Sequence, residues 1–161
     1  MIITGLDFSL ELHIYRKSTE IFACDVAYWR KNWGMVHDFL AIGMKPDNYI
    51  EDDWDFSITC NTNALDDFIY KIREELENDD SEFWTNSVFD KAQTKFQTIR
   101  NLGNLYALRD FLNRPYDLDT LVLAIYDEFS GNIVDLKAKY QDDMLEHPDD
   151  YNFKLVIINS Y

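Results

Sequence analysis

The sequence is poor in the residues that break, staple or cradle a chain. Five glycines occur in 161 residues, and they are scattered, so no glycine-rich loop can wrap a phosphate. With three prolines besides, no flexible linker is visible. A chain of this length is then expected to form one domain, residues 1–161. Cys24 and Cys60 are the two cysteines. Two thiols make no disulfide framework and are expected to be buried as small apolar groups. No Gly-x-Ser-x-Gly turn and no closely spaced Cys/His set of the zinc type occurs. His13, His37, Cys24 and Cys60 would have to converge from separate elements to hold a metal, and no cofactor is expected. The acidic stretch Glu51, Asp52, Asp53 and Asp55 lacks the spacing of a calcium loop. No positively charged segment followed by an apolar run opens the chain, and no apolar stretch nears the ~20 residues of a membrane span. The cytosol is the expected compartment.

Positive charge is also scarce. Fifteen Lys and Arg face thirty Asp and Glu, a net charge of -15. Such a field repels polyanions and steers basic surfaces inward, so direct nucleic-acid binding is disfavoured. A basic protein partner, such as a nuclease or other nucleic-acid-binding protein, fits better.

What is abundant is aromatic and aliphatic surface. Eleven Phe, ten Tyr and four Trp supply a core and exclude a disordered chain. Leu6, Phe8, Leu10, Leu12 and Ile14 alternate with polar residues, as in a strand with one buried face. Arg16 to Thr19 reads as a turn and Glu20 to Cys24 as a short returning strand. Asp25 can cap a helix to about Ile42, striped by Val26, Trp29, Trp33, Val36 and Leu40. Residues 46–53 read as an acidic loop. Trp54, Phe56, Ile58 and Cys60 then alternate as a strand. A helix capped by Asn61 or Thr62 follows, striped by Leu65, Phe68, Ile69, Ile72 and Leu76 and closed by Asn78-Asp79-Asp80.

Further on, Val88, Phe89, Ala92, Phe96 and Ile99 predict one buried stripe. Leu102, Leu105, Tyr106 and Leu112 predict another, after a break near Gly103. Beyond Pro115, Leu118, Leu121, Val122, Ile125, Tyr126 and Phe129 predict a helix ending at Gly131. Ile133, Leu136, Tyr140 and Met144 predict the last, stopped by Pro148. Phe153 to Ile158 reads as a strand buried on both faces. Strands and helices in segregated runs give an α+β fold: a small, mainly antiparallel sheet from the N-terminal third plus the C-terminal strand, packed with about six helices.

Thirty acids make many accidental carboxylate pairs, so no catalytic residue is nominated. His37, beside Arg30 and Trp33 on one helix face, is the side chain placed as a proton carrier would be; a hydrogen-bonded structural histidine is the commoner case. The densest acids run through one helix and the loop after it: Asp66, Asp67, Glu74, Glu75, Glu77, Asp79, Asp80 and Glu82. These form the candidate partner-binding surface. Carboxylate rows on a rigid scaffold can imitate the phosphates of a duplex, provided they line up along one face.

Gly5-Leu6-Asp7 opens the first strand, and Tyr28-Trp29-Arg30-Lys31 precedes His37-Asp38-Phe39-Leu40. This pattern resembles a family of small phage-encoded proteins of unknown function that begin with Gly-Leu-Asp and carry Tyr-Trp-Arg-Lys and then a histidine beside an aromatic. The likeness covers about the first 45 residues. It has one extra residue before His37 and Phe39-Leu40 in place of a Trp-Phe pair. It implies a phage or mobile-element origin and no particular chemistry. Three functions follow as expectations: a binder that inhibits a host defence protein, by nucleic-acid mimicry in its sharpest form; an immunity or antitoxin protein that neutralises a basic toxin; and a small enzyme using dispersed acids and His37. In the first two the acids crowd an outer face, whereas in an enzyme a few would converge in a pocket.

Overall fold

The alternating N-terminal segment forms strand β1 (Asp7–Arg16), whose Phe8, Leu10, Leu12 and Ile14 are buried. The computed structural model describes residues 7–30, 57–60, 63–78, 80, 84, 91–114, 116–126 and 132–160. A two-residue turn, with Lys17 at φ 58°, leads into β2 (Thr19–Arg30). Its strain is offset by the Lys17 N–H, which donates to the Asp150 carbonyl at 2.6 Å.

Strand β2 is far longer than its sequence suggests, and the helix expected to start at Asp25 does not. Residues 25–30 continue the ladder, pairing Asp25 with Glu11, Ala27 with Leu10 and Arg30 with Asp7. The reason is a bulge. Val26 is the extra residue between Asp25 and Ala27, so the buried series Phe22, Cys24, Val26 shifts phase to Ala27 and Trp29. A bulge breaks the period of two, and the resulting Val26/Trp29 spacing imitates a helical stripe. The rest of that expected helix, residues 31–42, lies outside the described residues, as do the acidic loop and Trp54 and Phe56.

β3 (Ser57–Cys60) and β4 (Tyr151–Ser160) complete an antiparallel sheet in the order β2-β1-β4-β3. In its described side chains, residues 151–156, central β4 is not buried on both faces as its apolar run predicts. Over 151–156, Tyr151 and Leu155 are buried while Asn152 and Lys154 are exposed. Residues 151–156 are buried on one face, and residues 155–158 are paired at both edges, with β1 and with β3.

Four α-helices occur among the described residues: α1 (Asn63–Glu77), α2 (Lys91–Asn113), α3 (Leu118–Ala124) and α4 (Ile133–Glu146), followed by a 3-10 turn (Pro148–Asp150). Together with the sheet they make an α+β fold. α1 behaves as its spacing predicts: Leu65, Phe68, Ile69 and Ile72 are buried, and Phe68 meets the edge of Trp29 at 5.7 Å. Its C-terminal carbonyls are satisfied by the Trp84 indole N–H, shared between Glu75 at 2.9 Å and Asn78 at 2.8 Å.

α2 contradicts its sequence pattern twice. It runs unbroken through Gly103, and Ala92, Phe96 and Ile99 face solvent. The buried face is Thr94, Thr98, Asn101, Leu105, Leu108 and Phe111. The polar half of that face covers the free edge of β2. The Asn101 carboxamide accepts from the Tyr28 N–H at 3.2 Å and donates to the Tyr28 carbonyl at 2.6 Å. Asn104 donates to the Val26 carbonyl at 3.0 Å, and the Tyr126 N–H donates to the Asp25 carbonyl at 2.8 Å. These bonds close a strand edge that would otherwise offer its backbone to another chain. Apolar residues could not make them.

α3 ends at Ala124, short of Phe129, with Leu118 and Leu121 buried and Val122 exposed. Asp117 caps it by accepting from the Asp119 N–H, and Asn132 caps α4 by accepting from Asp135. On α4 the expected stripe holds, with Leu136 and Met144 buried and Ile133 and Tyr140 half-buried. No helix among the described residues is long and apolar enough to cross a membrane.

Candidate functional site

Because α1 commits Leu65, Phe68, Ile69 and Ile72 to the core, its charged residues are turned outward. Asp66, Asp67, Glu74 and Glu77 are exposed on the helix, and Asp80 just beyond it. Glu75 is an exception among the expected surface residues. It is 7% exposed, because it stands three residues from Ile72 and seven from Phe68 on the inward side of the helix. Asp79 and Glu82 lie outside the described residues. The outward row is not purely acidic, since Lys71 reaches Glu74 at 3.7 Å and Arg109 of α2 reaches Asp66 at 3.5 Å. Both pairs are solvent-accessible, so each contributes only about 0–1 kcal/mol.

Where α1 meets α2, an open groove of about 580 Å³ is lined by Asp66, Tyr70, Arg73, Tyr106, Arg109 and Asp110, among others. The Arg109 guanidinium lies over the Tyr106 ring at 4.8 Å. Sequence reading missed this groove. Tyr70, Arg73, Tyr106 and Arg109 come from two helices whose contact no local spacing announces.

The other polar clusters hold the fold. On the outer sheet face His13 sits between two carboxylates, Nδ1 at 2.5 Å from Glu20 and Nε2 at 2.8 Å from Glu11. Two carboxylate partners require both ring nitrogens to donate, which is the imidazolium. Burial alone would lower its pKa, but the bonds to Glu20 and Glu11 outweigh it, and the pKa is raised above 6.5. Glu20 is lowered in turn, chiefly by His13.

A second tie joins the hairpin to α4. Arg16 Nε donates to Asp143 Oδ2 at 2.9 Å, and the Tyr151 hydroxyl donates to the same oxygen. Arg16 and then Tyr151 hold the Asp143 carboxyl down at about 2. Burial, then the bond to Asp143, pushes Tyr151 up to about 12.

His13, Cys24 and Cys60 stand apart on the sheet. His13 is on the outer face, whereas Cys24 is buried on the inner one. The register Cys24–Leu12–Leu155–Cys60 spans the sheet from edge to edge. Three strand spacings of ~4.8 Å hold the two cysteine backbones roughly 14 Å apart, beyond disulfide reach. Burial, with Asp25 nearby, pushes the Cys24 thiol up to about 12, so it is unreactive at neutral pH. His37 lies outside the described residues. Among the described residues no group of three or more His, Cys, Asp or Glu is arranged to hold a metal.

Two parts of the motif with phage-protein likeness do meet: the Tyr28 hydroxyl donates to Asp7 Oδ2 at 2.7 Å. Trp29 is fully buried and its indole N–H donates to Thr98 at 3.4 Å. These residues secure the N-terminal end of β1 to β2 and to α2. No protein-family model matches the chain, and no curated protein or solved structure matches it.

Proposed function

We propose that this chain is a non-enzymatic binding protein of phage or mobile-element type that captures and inhibits a basic host protein, in the sharpest form a nucleic-acid-binding defence factor, in the host cytosol. The observation that carries this is the outward row of α1, Asp66, Asp67, Glu74 and Glu77 with Asp80, on a chain of net charge -15. A rigid helix with its apolar side buried displays those carboxylates without ordering cost, and the surrounding field steers a cationic partner toward them. The Gly5-Leu6-Asp7 and Tyr28-Trp29-Arg30-Lys31 likeness supports the phage origin.

The row is a weaker argument for strict phosphate mimicry. From Asp66 to Glu77 the helix rises ~16 Å, a distance over which one DNA strand places a phosphate every ~3.4 Å. The four acids of that stretch approach the density, but Lys71 and Arg73 interrupt it. Capture by field and contact is therefore the form supported best. The test is the association rate with a purified basic partner as a function of salt. A rate above ~10⁶ M⁻¹s⁻¹ that falls steeply with ionic strength is expected; a slow, salt-independent rate would refute it.

A further inference from the structure

Resting on the capture reading, we propose that the groove between α1 and α2 is the anchor point for an arginine side chain of the basic partner. The groove already shows how it holds a guanidinium. Arg109 lies over Tyr106 at 4.8 Å and meets Asp66 at 3.5 Å, combining ring-face and carboxylate contacts as arginine does at recognition sites. The chain repeats the ring contact elsewhere, with Arg100 over Tyr126 at 4.6 Å and Lys154 over Tyr15 at 5.0 Å.

The same groove offers a second set of these elements. Tyr70 is 64% exposed, and among the described residues no cation lies over its ring. Asp110 is exposed and is in no ion pair among the described residues. Tyrosine is enriched among the residues that anchor binding energy at interfaces. The charges lining the groove cancel, Asp66 and Asp110 against Arg73 and Arg109. The sign of the guest is therefore set by the rest of the molecule, which is acidic. Arg73 opposes the guest locally; it is exposed on a long flexible stem and can turn toward solvent.

The experiment compares capped octa-arginine and octa-lysine peptides by titration calorimetry at low and at physiological salt. The full chain and its Tyr70→Ala, Asp110→Asn and Asp149→Asn forms are used; Asp149 is an exposed acid outside the groove. The arginine peptide should bind about tenfold tighter than the lysine peptide, because guanidinium stacks on tyrosine where ammonium stays hydrated. Tyr70→Ala and Asp110→Asn should remove most of that preference, and Asp149→Asn should leave it. Equal affinity for the two peptides, or a preference indifferent to Tyr70→Ala, would overturn the groove assignment while the capture reading stands. Failure of both peptides to bind even at low salt would overturn both.

Discussion

Helices α1 and α2 touch each other, yet they bury different chemistry. α1 turns Leu65, Phe68, Ile69 and Ile72 inward and carboxylates outward. In its first half α2 turns Thr94, Thr98 and Asn101 inward and leaves Phe96 and Ile99 in solvent. The first helix packs against apolar side chains, so hydrophobicity decides its orientation. The second closes a strand edge, where unpaired N–H and C=O groups decide it. An unsatisfied buried backbone group costs about 1–3 kcal/mol, comparable to what burying a Phe or Ile side chain would contribute. α2 closes three such groups, the Tyr28 N–H and C=O and the Val26 C=O, against the two large apolar side chains, Phe96 and Ile99, that it leaves in solvent.

The largest effect should come from the apolar helix. Phe68→Ala removes a ring that is 1% exposed and meets Trp29, and should cost about 3–5 kcal/mol. Denaturant unfolding measures this directly; a loss under 1 kcal/mol would mean that α1 is not seated as described. Next comes the polar helix. Asn101→Ala orphans both the N–H and the C=O of Tyr28 and should cost about 1–3 kcal/mol, with faster amide exchange at Tyr28. If Asn101→Ala proved neutral with the Tyr28 amide still protected, the contrast between the two helices would collapse. A smaller effect, of opposite sign, is expected at Gly103. Nothing lies within 4 Å of a Cβ placed there, so Gly103→Ala should stabilise the continuous helix by about 1 kcal/mol. Destabilisation would instead restore the break that the sequence suggests.

The same contrast explains what could be read from the sequence. β1, α1 and α4 were legible because one apolar face governs each, and Leu10, Leu12 and Leu121 are buried as their periods require. Ile125 is only half-buried, because α3 stops one residue before it. β2 was illegible beyond Cys24 because the bulge at Val26 shifts the alternation. The buried face of α2 was illegible because Thr and Asn carry no apolar signal, and the partners of Asn101 and Thr98 across the sheet edge, the Tyr28 backbone and the Trp29 indole, are about seventy residues away in sequence. Of the candidate surface, exposed Asp66, Asp67, Glu74, Glu77 and Asp80 followed from the α1 stripe. Buried Glu75 and the α1–α2 groove needed the tertiary structure.

The smallest stability effects are those of the two surface ties, and pH separates them. The Asp143 pKa is depressed to about 2 from 3.8, so the unfolded state takes up the proton first as pH falls. Its contribution is complete above about pH 4 and is lost as pH falls through about 2. The His13 pKa is raised above 6.5, so its contribution is complete below about pH 6.5 and is lost as pH rises through the folded value. His13→Gln should abolish the neutral-to-alkaline part of the stability profile, together with the acid-side part that the lowered Glu20 carries, and Asp143→Asn should act chiefly on the acid part that is lost as pH falls through about 2. Histidine NMR titration checks the sign: a His13 midpoint below 6.5 would contradict the two-carboxylate clamp.

The central functional claim is that the outward face of α1, and not the net charge alone, captures the partner. Two triple variants separate these. Asp67→Lys, Glu74→Lys and Glu77→Lys reverse the α1 face and leave buried Glu75 in place, while Asp142→Lys, Glu146→Lys and Asp149→Lys make the same charge change on exposed residues at the end of α4 and beyond. Association rates with the purified basic partner at low salt, measured beside circular dichroism to verify the fold, should fall about tenfold or more for the α1 variant and far less for the α4 variant. Equal slowing by the two variants, or none by either, would contradict the account.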